Sequence, residues 1–367
     1  MDPVLLFSVL GLLVVGIVMV YSTTAALSRD GWGGSAHYLL VQATAMVLGL
    51  AGATLAATVR LEVYSRHTKQ AVALAFVMMF AVYVPFIGMN VSGFRRWLNL
   101  GILAFQPVEF VKLALILYVA KFLANDRHSV RSFSRGVLPN LLIMLAFVGL
   151  LILQPDFGSA VLLCTIVFVM LFAGGARLSH LVLLMVTGGI PAYYLIVGSD
   201  YRLQRILTYI KWIGGTMPTP DDKGYQIWQS YNALSKGGLV GVGLGDSIHK
   251  LFYLPAPHTD FIFTVLAEEL GFFGGAAVIA LFVALVVRGM QTAMAVEDRF
   301  AKMLAFGVST ALGLQAVVNI AMALGLLPTK GFTLPFLSYG GSSLLLSLIM
   351  AGVLLNVSRR VPDTRAV

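Results

Sequence analysis

The sequence predicts an all-α, polytopic membrane protein with about ten transmembrane helices and a long extracytoplasmic loop, about 198–260, between the seventh and eighth. Three observations carry that prediction. Hydrophobic residues fill 59% of the 367 positions and charged ones only 11%, whereas a soluble domain is roughly 45–50% apolar. The mean hydropathy is +0.89. Apolar runs able to cross ~30 Å of hydrocarbon recur near 4–22, 38–58, 69–89, 108–124, 137–153, 158–174, 178–197, 261–287, 303–326 and 334–356. The whole chain, 1–367, reads as a single transmembrane domain.

Taken in order, the first run is expected to stay as an uncleaved span. Small residues follow it at Ser22–Ala26, as after a secretory signal, but Met1–Pro3 places no basic residue ahead of the apolar core. The second to seventh runs are joined by short loops, and Lys and Arg collect in alternate ones. Arg60, Arg66 and Lys69 form one group, and Lys121, Arg127, Arg131 and Arg135 another. Arg177 follows, then Arg288, Arg299 and Lys302, and finally Arg359, Arg360 and Arg365 in the tail. By the positive-inside rule these loops and both termini face the cytoplasm. The net charge of +9 is then largely a bias toward anionic lipid. No basic, aromatic-interleaved soluble module points to nucleic acid. Cys164 is the sole cysteine, which excludes an intrachain disulfide and a multi-cysteine metal site.

The outer loops depart from the charge rule. Arg95-Arg96-Trp97 follows the third run, and Arg202, Arg205, Lys211, Lys236 and Lys250 lie in the long segment. Cations on the disfavoured side suggest an anionic ligand such as a phosphate, which arginine grips through two donors. Contact with lipid headgroups or solvent is the plainer reading. The long segment also holds Tyr225-Gln226-Ile227-Trp228-Gln229-Ser230 after Gly224, where Gln226 and Gln229 can hydrogen-bond sugar hydroxyls or amides. The run Gly237–Gly245 lacks the preceding strand of a dinucleotide site and is expected to be a flexible re-entrant or surface loop.

Ionisable residues at membrane depth need a reason, because a lone carboxylate at a helix centre costs ~2.5–3.5 kcal/mol on insertion scales. Glu109 and Lys112 follow Gln106-Pro107 and share a helix face at i, i+3 spacing. They form either a structural ion pair or the lining of an outward cavity. His258, Asp260, Glu268 and Glu269 cluster where the eighth run begins. Asp260 is placed either to cap that helix or to serve a cavity at the outer face. Glu268 and Glu269 are adjacent, so at most one shares a face with Asp260.

These segments resemble the SEDS family (shape, elongation, division and sporulation proteins). The matching stretches are Arg95-Arg96-Trp97, Gln106-Pro107-Val108-Glu109 with Lys112, and Gly224-Tyr225-Gln226 with Gln229-Ser230. They continue with His258-Thr259-Asp260-Phe261, Glu268-Glu269-Leu270-Gly271 and Pro335-Phe336-Leu337-Ser338-Tyr339-Gly340-Gly341. They stand in the family's order across most of the chain. Gly241–Gly245 and Lys250–Pro255 resemble the division branch more than the elongation branch.

The resemblance implies a peptidoglycan glycosyltransferase that polymerises lipid II at the outer face of the bacterial inner membrane and releases undecaprenyl pyrophosphate. It implies Asp260 as general base. Arg96, Lys112, Glu109, Gln226, Gln229, His258 and Ser338 become candidate substrate-binding residues. A class B penicillin-binding protein, a transpeptidase, is the implied partner beside membrane lipids. A divalent cation, Mg or Mn, could bridge Asp260 and the diphosphate, though no ligand spacing identifies one. Ala256 and Val108 depart from the residues relatives often carry, glutamate and serine. Alternative readings of the same acids are a lipid II flippase, a non-enzymatic scaffold for the transpeptidase, and a proton-coupled transporter.

Overall fold

The computed structural model describes residues 1–25, 34–91, 93–101, 104–125, 129–215, 225–251 and 253–361. Ala26, Arg29, Arg127, Gly224, Phe252 and Arg365, used in the sequence reading, lie outside them.

The chain opens with α1 (Pro3–Ala25), α2 (Gly34–Thr58), the short α3 (Leu61–Arg66) and α4 (Thr68–Ala81). A small antiparallel sheet follows, β1 (Gly88–Val91), β2 (Phe94–Asn99) and β3 (Ala104–Phe105), in the order β1-β2-β3. Then come α5 (Pro107–Asn125), α6 (Leu138–Leu153), α7 (Phe157–Ala173) and α8 (Leu178–Val197). The long segment carries α9 (Asp200–Ile213) and α10 (Tyr225–Gly237). The chain closes with α11 (Ile262–Ala295), α12 (Arg299–Ala323) and α13 (Gly341–Ser358). Among the described residues, seven helical stretches are long and apolar enough to cross a membrane, and α4 and α7 are shorter apolar helices. The protein is a helical, multi-pass membrane protein.

Within the strongest apolar window of each helix, 83% of residues in α13 and 67% in α12 are buried, against 6% in α8. The fold is thus built around α12 and α13, with α2 along α13, and α5 and α11 along α12. In α8 only Leu181 is buried, so its apolar side chains face outward, as lipid contact requires.

Three departures from the sequence reading have local causes. The third run was expected to stay helical to 89, but α4 stops at Ala81 and β1 starts at Gly88. The apolar residues there, such as Val84 and Ile87, sit in a turn leading into the sheet. The last run was expected from 334, yet α13 starts at Gly341, because residues 334–339 form a tight turn held by the Ser338 side chain. The third departure is the glycine-rich run, which is not a loose loop. Helix α11 breaks at Gly271, whose φ of 68° and ψ of −166° suit glycine. The break frees backbone groups, and residues 238–243 satisfy them. Val242 and Gly243 N–H donate to the Glu268 and Glu269 carbonyls at 3.0 and 3.1 Å, and Phe272 and Phe273 N–H donate to Gly238 and Leu239 at 2.9 and 3.2 Å. A Cβ at Gly241 or Gly271 would run into the opposing backbone. Broken helices are tolerated at membrane depth only where protein groups re-satisfy the backbone.

Candidate active site

Asp260 ends the turn that leads into α11. Its backbone is fixed from two directions. Asn319 of α12 donates through Nδ2 to the Asp260 carbonyl at 3.0 Å and also to that of Phe332. Ser338 donates through Oγ to the Thr259 carbonyl at 2.6 Å while accepting from Leu334 N–H at 2.7 Å. Tyr339 N–H adds a bond to the His258 carbonyl at 2.9 Å. Ser338, expected from the sequence to contact substrate, clasps the turn before α11 to the turn before α13.

The Asp260 side chain does not cap α11. The N-cap is Phe261, without a side-chain hydrogen bond, so the capping alternative fails. The carboxylate instead lies against Gly331, where a Cβ would stand 3.0 Å from Oδ2. Burial pushes its pKa up, while the Thr259 hydrogen bond, Arg205 and Lys330 pull it down. The balance stays above the ordinary aspartate value. A base must have a pKa toward working pH to take a proton effectively. His258 is held lower by burial. Its ring packs edge-on, with centroids 5.6 Å from Tyr38 and from Tyr339, and its buried Nδ1 has no hydrogen-bond partner.

Beside Asp260 lies a cluster of charges that the sequence reading only half identified. Lys330 Nζ sits 3.0 Å from Asp156 Oδ1, and Asp156 also caps α7 by accepting from Ser159 N–H. Burial alone would raise the Asp156 pKa, but Lys330, Ser159 and Arg96 outweigh it and hold the carboxyl below its usual value. Burial lowers the Lys330 pKa more than Asp156 restores it, and Arg96 and Arg205 press in the same direction as burial. Arg96, on β2, donates from Nε to the Gln154 carbonyl and from Nη2 to the Pro155 carbonyl, both at 2.7 Å. The same turn before α7 therefore receives Arg96 from the sheet and Lys330 from the α12–α13 loop. Arg205, on α9, donates to the Thr329 carbonyl at 2.9 Å and so steadies the residue next to Lys330.

Glu109 and Lys112 are both buried in the first turns of α5. Lys112 Nζ lies 2.7 Å from Glu109 Oε2, a charge contact without hydrogen-bond alignment, since Oε2 has no aligned donor. Its aligned hydrogen bond goes to Gln315 Oε1, and Gln315 donates onward to the Thr333 carbonyl at 2.9 Å. These groups line a polar cavity of about 40 Å³ that Gly331 and Phe332 close, room for a water or two. Gly331 thus separates the Asp260 carboxylate from the Lys112 cavity. The ion pair and the cavity are both present, and the charges acting on Asp260 are Arg205 and Lys330.

The other expected residues are placed elsewhere. Gln229 is buried in α10 and donates to the Tyr225 hydroxyl; Gln226 is half-buried on the same helix. Neighbouring Ser230 bonds Thr264 and the Ala323 carbonyl, both at 2.6 Å, so this face of α10 joins α11 to α12. Glu268 accepts from Ser247, from Ile248 N–H and at 2.8 Å contacts His249 Nδ1. Glu269 binds Ser22 on α1 at 2.7 Å and Lys250 Nζ at 2.7 Å. Lys250, read from the sequence as either a contact for an anionic ligand or one for headgroups or solvent, is buried and neutralises that acid. Neither glutamate turns toward Asp260.

What the sequence reading missed is the Asp156–Lys330 pair. Its signal was present in Gln154-Pro155-Asp156-Phe157-Gly158, a polar break between two apolar runs.

Comparison with known proteins bears on what this arrangement does. A family model described as cell cycle protein, covering FtsW, RodA and SpoVE, matches residues 3–362. The chain belongs to this family, the SEDS proteins. It is 40% identical over 361 residues to the probable peptidoglycan glycosyltransferase FtsW of Trichlorobacter lovleyi, covering 97% of this chain and 93% of that one. It is 38% identical over 358 residues to the stage V sporulation protein E of Bacillus subtilis, covering 98% and 97%. Among solved structures, a chain of a peptidoglycan synthase complex that coordinates polymerization and crosslinking superposes with a TM-score of 0.80 at 31% identity. The rod shape determining protein RodA of Thermus thermophilus superposes with 0.70 at 29%. Each covers 99% of this SEDS chain and 98% of its own.

Proposed function

We propose that this SEDS protein is a peptidoglycan glycosyltransferase that polymerises lipid II at the outer face of the bacterial inner membrane, with Asp260 as general base. The observation that carries the reading is a carboxylate of raised pKa, fixed by its backbone, with its side chain on Gly331 and the charges of Arg205 and Lys330 acting on it. Asp260 takes the proton from the acceptor sugar hydroxyl as that oxygen bonds the donor's anomeric carbon. The bond from that carbon to the diphosphate oxygen breaks, and undecaprenyl pyrophosphate leaves with the electron pair. Cations beside the site stabilise the charge that develops there. An α-linked donor and a β-linked product require inversion, for which one base suffices.

The same reading takes about ten spans, both termini in the cytoplasm and the 198–260 segment outside. It assigns the chain to cell division, supported by relatives bearing the FtsW name. The partner is a class B penicillin-binding protein, consistent with the likeness to a synthase that couples polymerization with crosslinking. Arg96, Lys112 and Glu109 support the substrate region through the turn before α7 and the cavity behind Gly331. A bridging divalent cation fits the residues poorly. Among the described residues no group of three or more His, Cys, Asp or Glu converges, and the neighbours of Asp260 are themselves cationic. No step is assigned to one.

The test is incubation of purified protein, with and without its transpeptidase, with lipid II, followed by separation of glycan polymer. Polymer that requires Asp260 supports the reading. Movement of lipid II across a sealed vesicle without polymer would make the chain a flippase, and polymer only from the partner would make it a scaffold.

A further inference from the structure

We infer that Lys330 is a diphosphate-binding residue whose ammonium is held in readiness by Asp156, and that the substrate's diphosphate takes Asp156's place on it. This rests on the glycosyltransferase reading and names the group within that site that meets the leaving anion.

Three observations carry it. The first is the state of the competing cation. Arg96 commits Nε and Nη2 to the carbonyls of Gln154 and Pro155, so one edge of its guanidinium is spent on the α6–α7 turn and the group is anchored there, with only its remaining N–H donors left for an anion. Lys330 has three N–H donors on a rotatable stem, and its side chain is 28% exposed. It can change partners.

The second is charge balance. Arg96 and Arg205 both act on Lys330, Lys330 and Arg96 act on Asp156, and Lys330 and Arg205 act on Asp260. Among the described residues three cations face two carboxylates in a partly buried site, and Asp260 has no ion-pair partner of its own. The surplus positive charge favours an incoming anion, which can displace a monoanionic carboxylate by bringing more negative charge to the same ammonium.

The third is the path of the side chain. Lys330 lies flat across Gly158 in the first turn of α7, where a Cβ would overlap Nζ, Cε and Cδ. Its Nζ also stands 4.6 Å from the centre of the Phe332 ring. The bare glycine surface gives the ammonium its berth between Asp156 and the Asp260 side of the loop, and Arg205 fixes the loop at Thr329.

A structural ion pair and a placeholder make opposite predictions for the two partners. Binding of inorganic pyrophosphate to purified full-length protein, by titration calorimetry, is measured beside the KM and kcat for lipid II. Lys330→Met is expected to weaken pyrophosphate binding at least tenfold, and Lys330→Arg to keep most of it. Asp156→Asn, which retains a good helix cap, is expected to tighten pyrophosphate binding severalfold and to lower KM. Gly158→Ala leaves every charge in place but displaces the ammonium, and is expected to weaken binding toward the Lys330→Met level. If Asp156→Asn weakens binding as much as Lys330→Met does, or if Lys330→Met binds like the parent, the inference is wrong and the pair only joins two loops. Pyrophosphate binding that depends on Lys330 in a protein that makes no polymer would uphold the inference and remove the glycosyltransferase reading. Polymerisation that depends on Asp260 but not on Lys330 would do the reverse.

Discussion

The first half of α11 carries acids at both ends, and they are treated in opposite ways. At the Gly271 break, Glu268 and Glu269 are fully buried and each is surrounded by donors, Ser247 and His249 for one, Ser22 and Lys250 for the other. At the entrance, Asp260 has its backbone clasped by Asn319, while its carboxylate faces glycine and more distant cations. Burying a charge demands partners, and an acid with all its partners present is stabilising a fold. An acid whose side chain meets only the Thr259 hydroxyl and more distant cations keeps acceptor capacity for a substrate proton. Depth in the membrane, which first drew attention to all three acids, does not distinguish them; completeness of pairing does.

The comparison can be broken at either end. The largest stability effect is expected at the break. Glu269→Ala leaves Lys250 as a buried, unpaired cation, a loss of about 3–5 kcal/mol, seen as a large fall in folded yield and thermal stability in detergent. Gly271→Ala comes next. A positive φ alone costs about 1–3 kcal/mol, and the added methyl meets the Leu239–Gly241 backbone. A Gly271→Ala protein as stable as the parent would show that the brace by residues 238–243 is unimportant. Arg96→Lys should be milder, about tenfold in turnover, because one ammonium cannot span the carbonyls of Gln154 and Pro155 as a planar guanidinium does. Equal turnover would reduce Arg96 to a point charge at the surface. The smallest effect is a shift in the pH profile. Asp260 must be ionised to act as base, and burial raises its pKa. Activity should therefore fall on acidification at a pH above that of an ordinary aspartate, read as the acid limb of kcat/KM for lipid II.

Much of this was legible in the sequence, because hydropathy and Lys/Arg placement report directly on the bilayer. The apolar runs found most helices, and His258–Phe261 marked the turn where the proposed base stands. Lys250 and the Gly237–Gly245 run were harder. A lysine in a glycine-rich loop carries no mark of the acid it meets, since Glu269 lies 19 positions away and approaches only because α11 breaks. The glycines signalled close backbone approach, but the partner strand is a broken helix that no local period announces. Asp156 and Lys330 are 174 positions apart, and each looks like an ordinary interfacial residue until the fold brings α7 and the α12–α13 loop together. Gln229, read from the sequence as a sugar contact, spends its amide on the Tyr225 hydroxyl one turn earlier in α10.

The central claim is that Asp260 performs chemistry while the deeper glutamates support the fold. The most direct measurement compares Asp260→Asn and Glu269→Gln side by side, each scored for glycan polymer formed from lipid II per folded molecule and for thermal unfolding. The account predicts that Asp260→Asn unfolds like the parent and loses about 10²–10⁴-fold in rate, whereas Glu269→Gln loses stability and keeps its rate per folded molecule. An Asp260→Asn protein that makes polymer at the parental rate would contradict it.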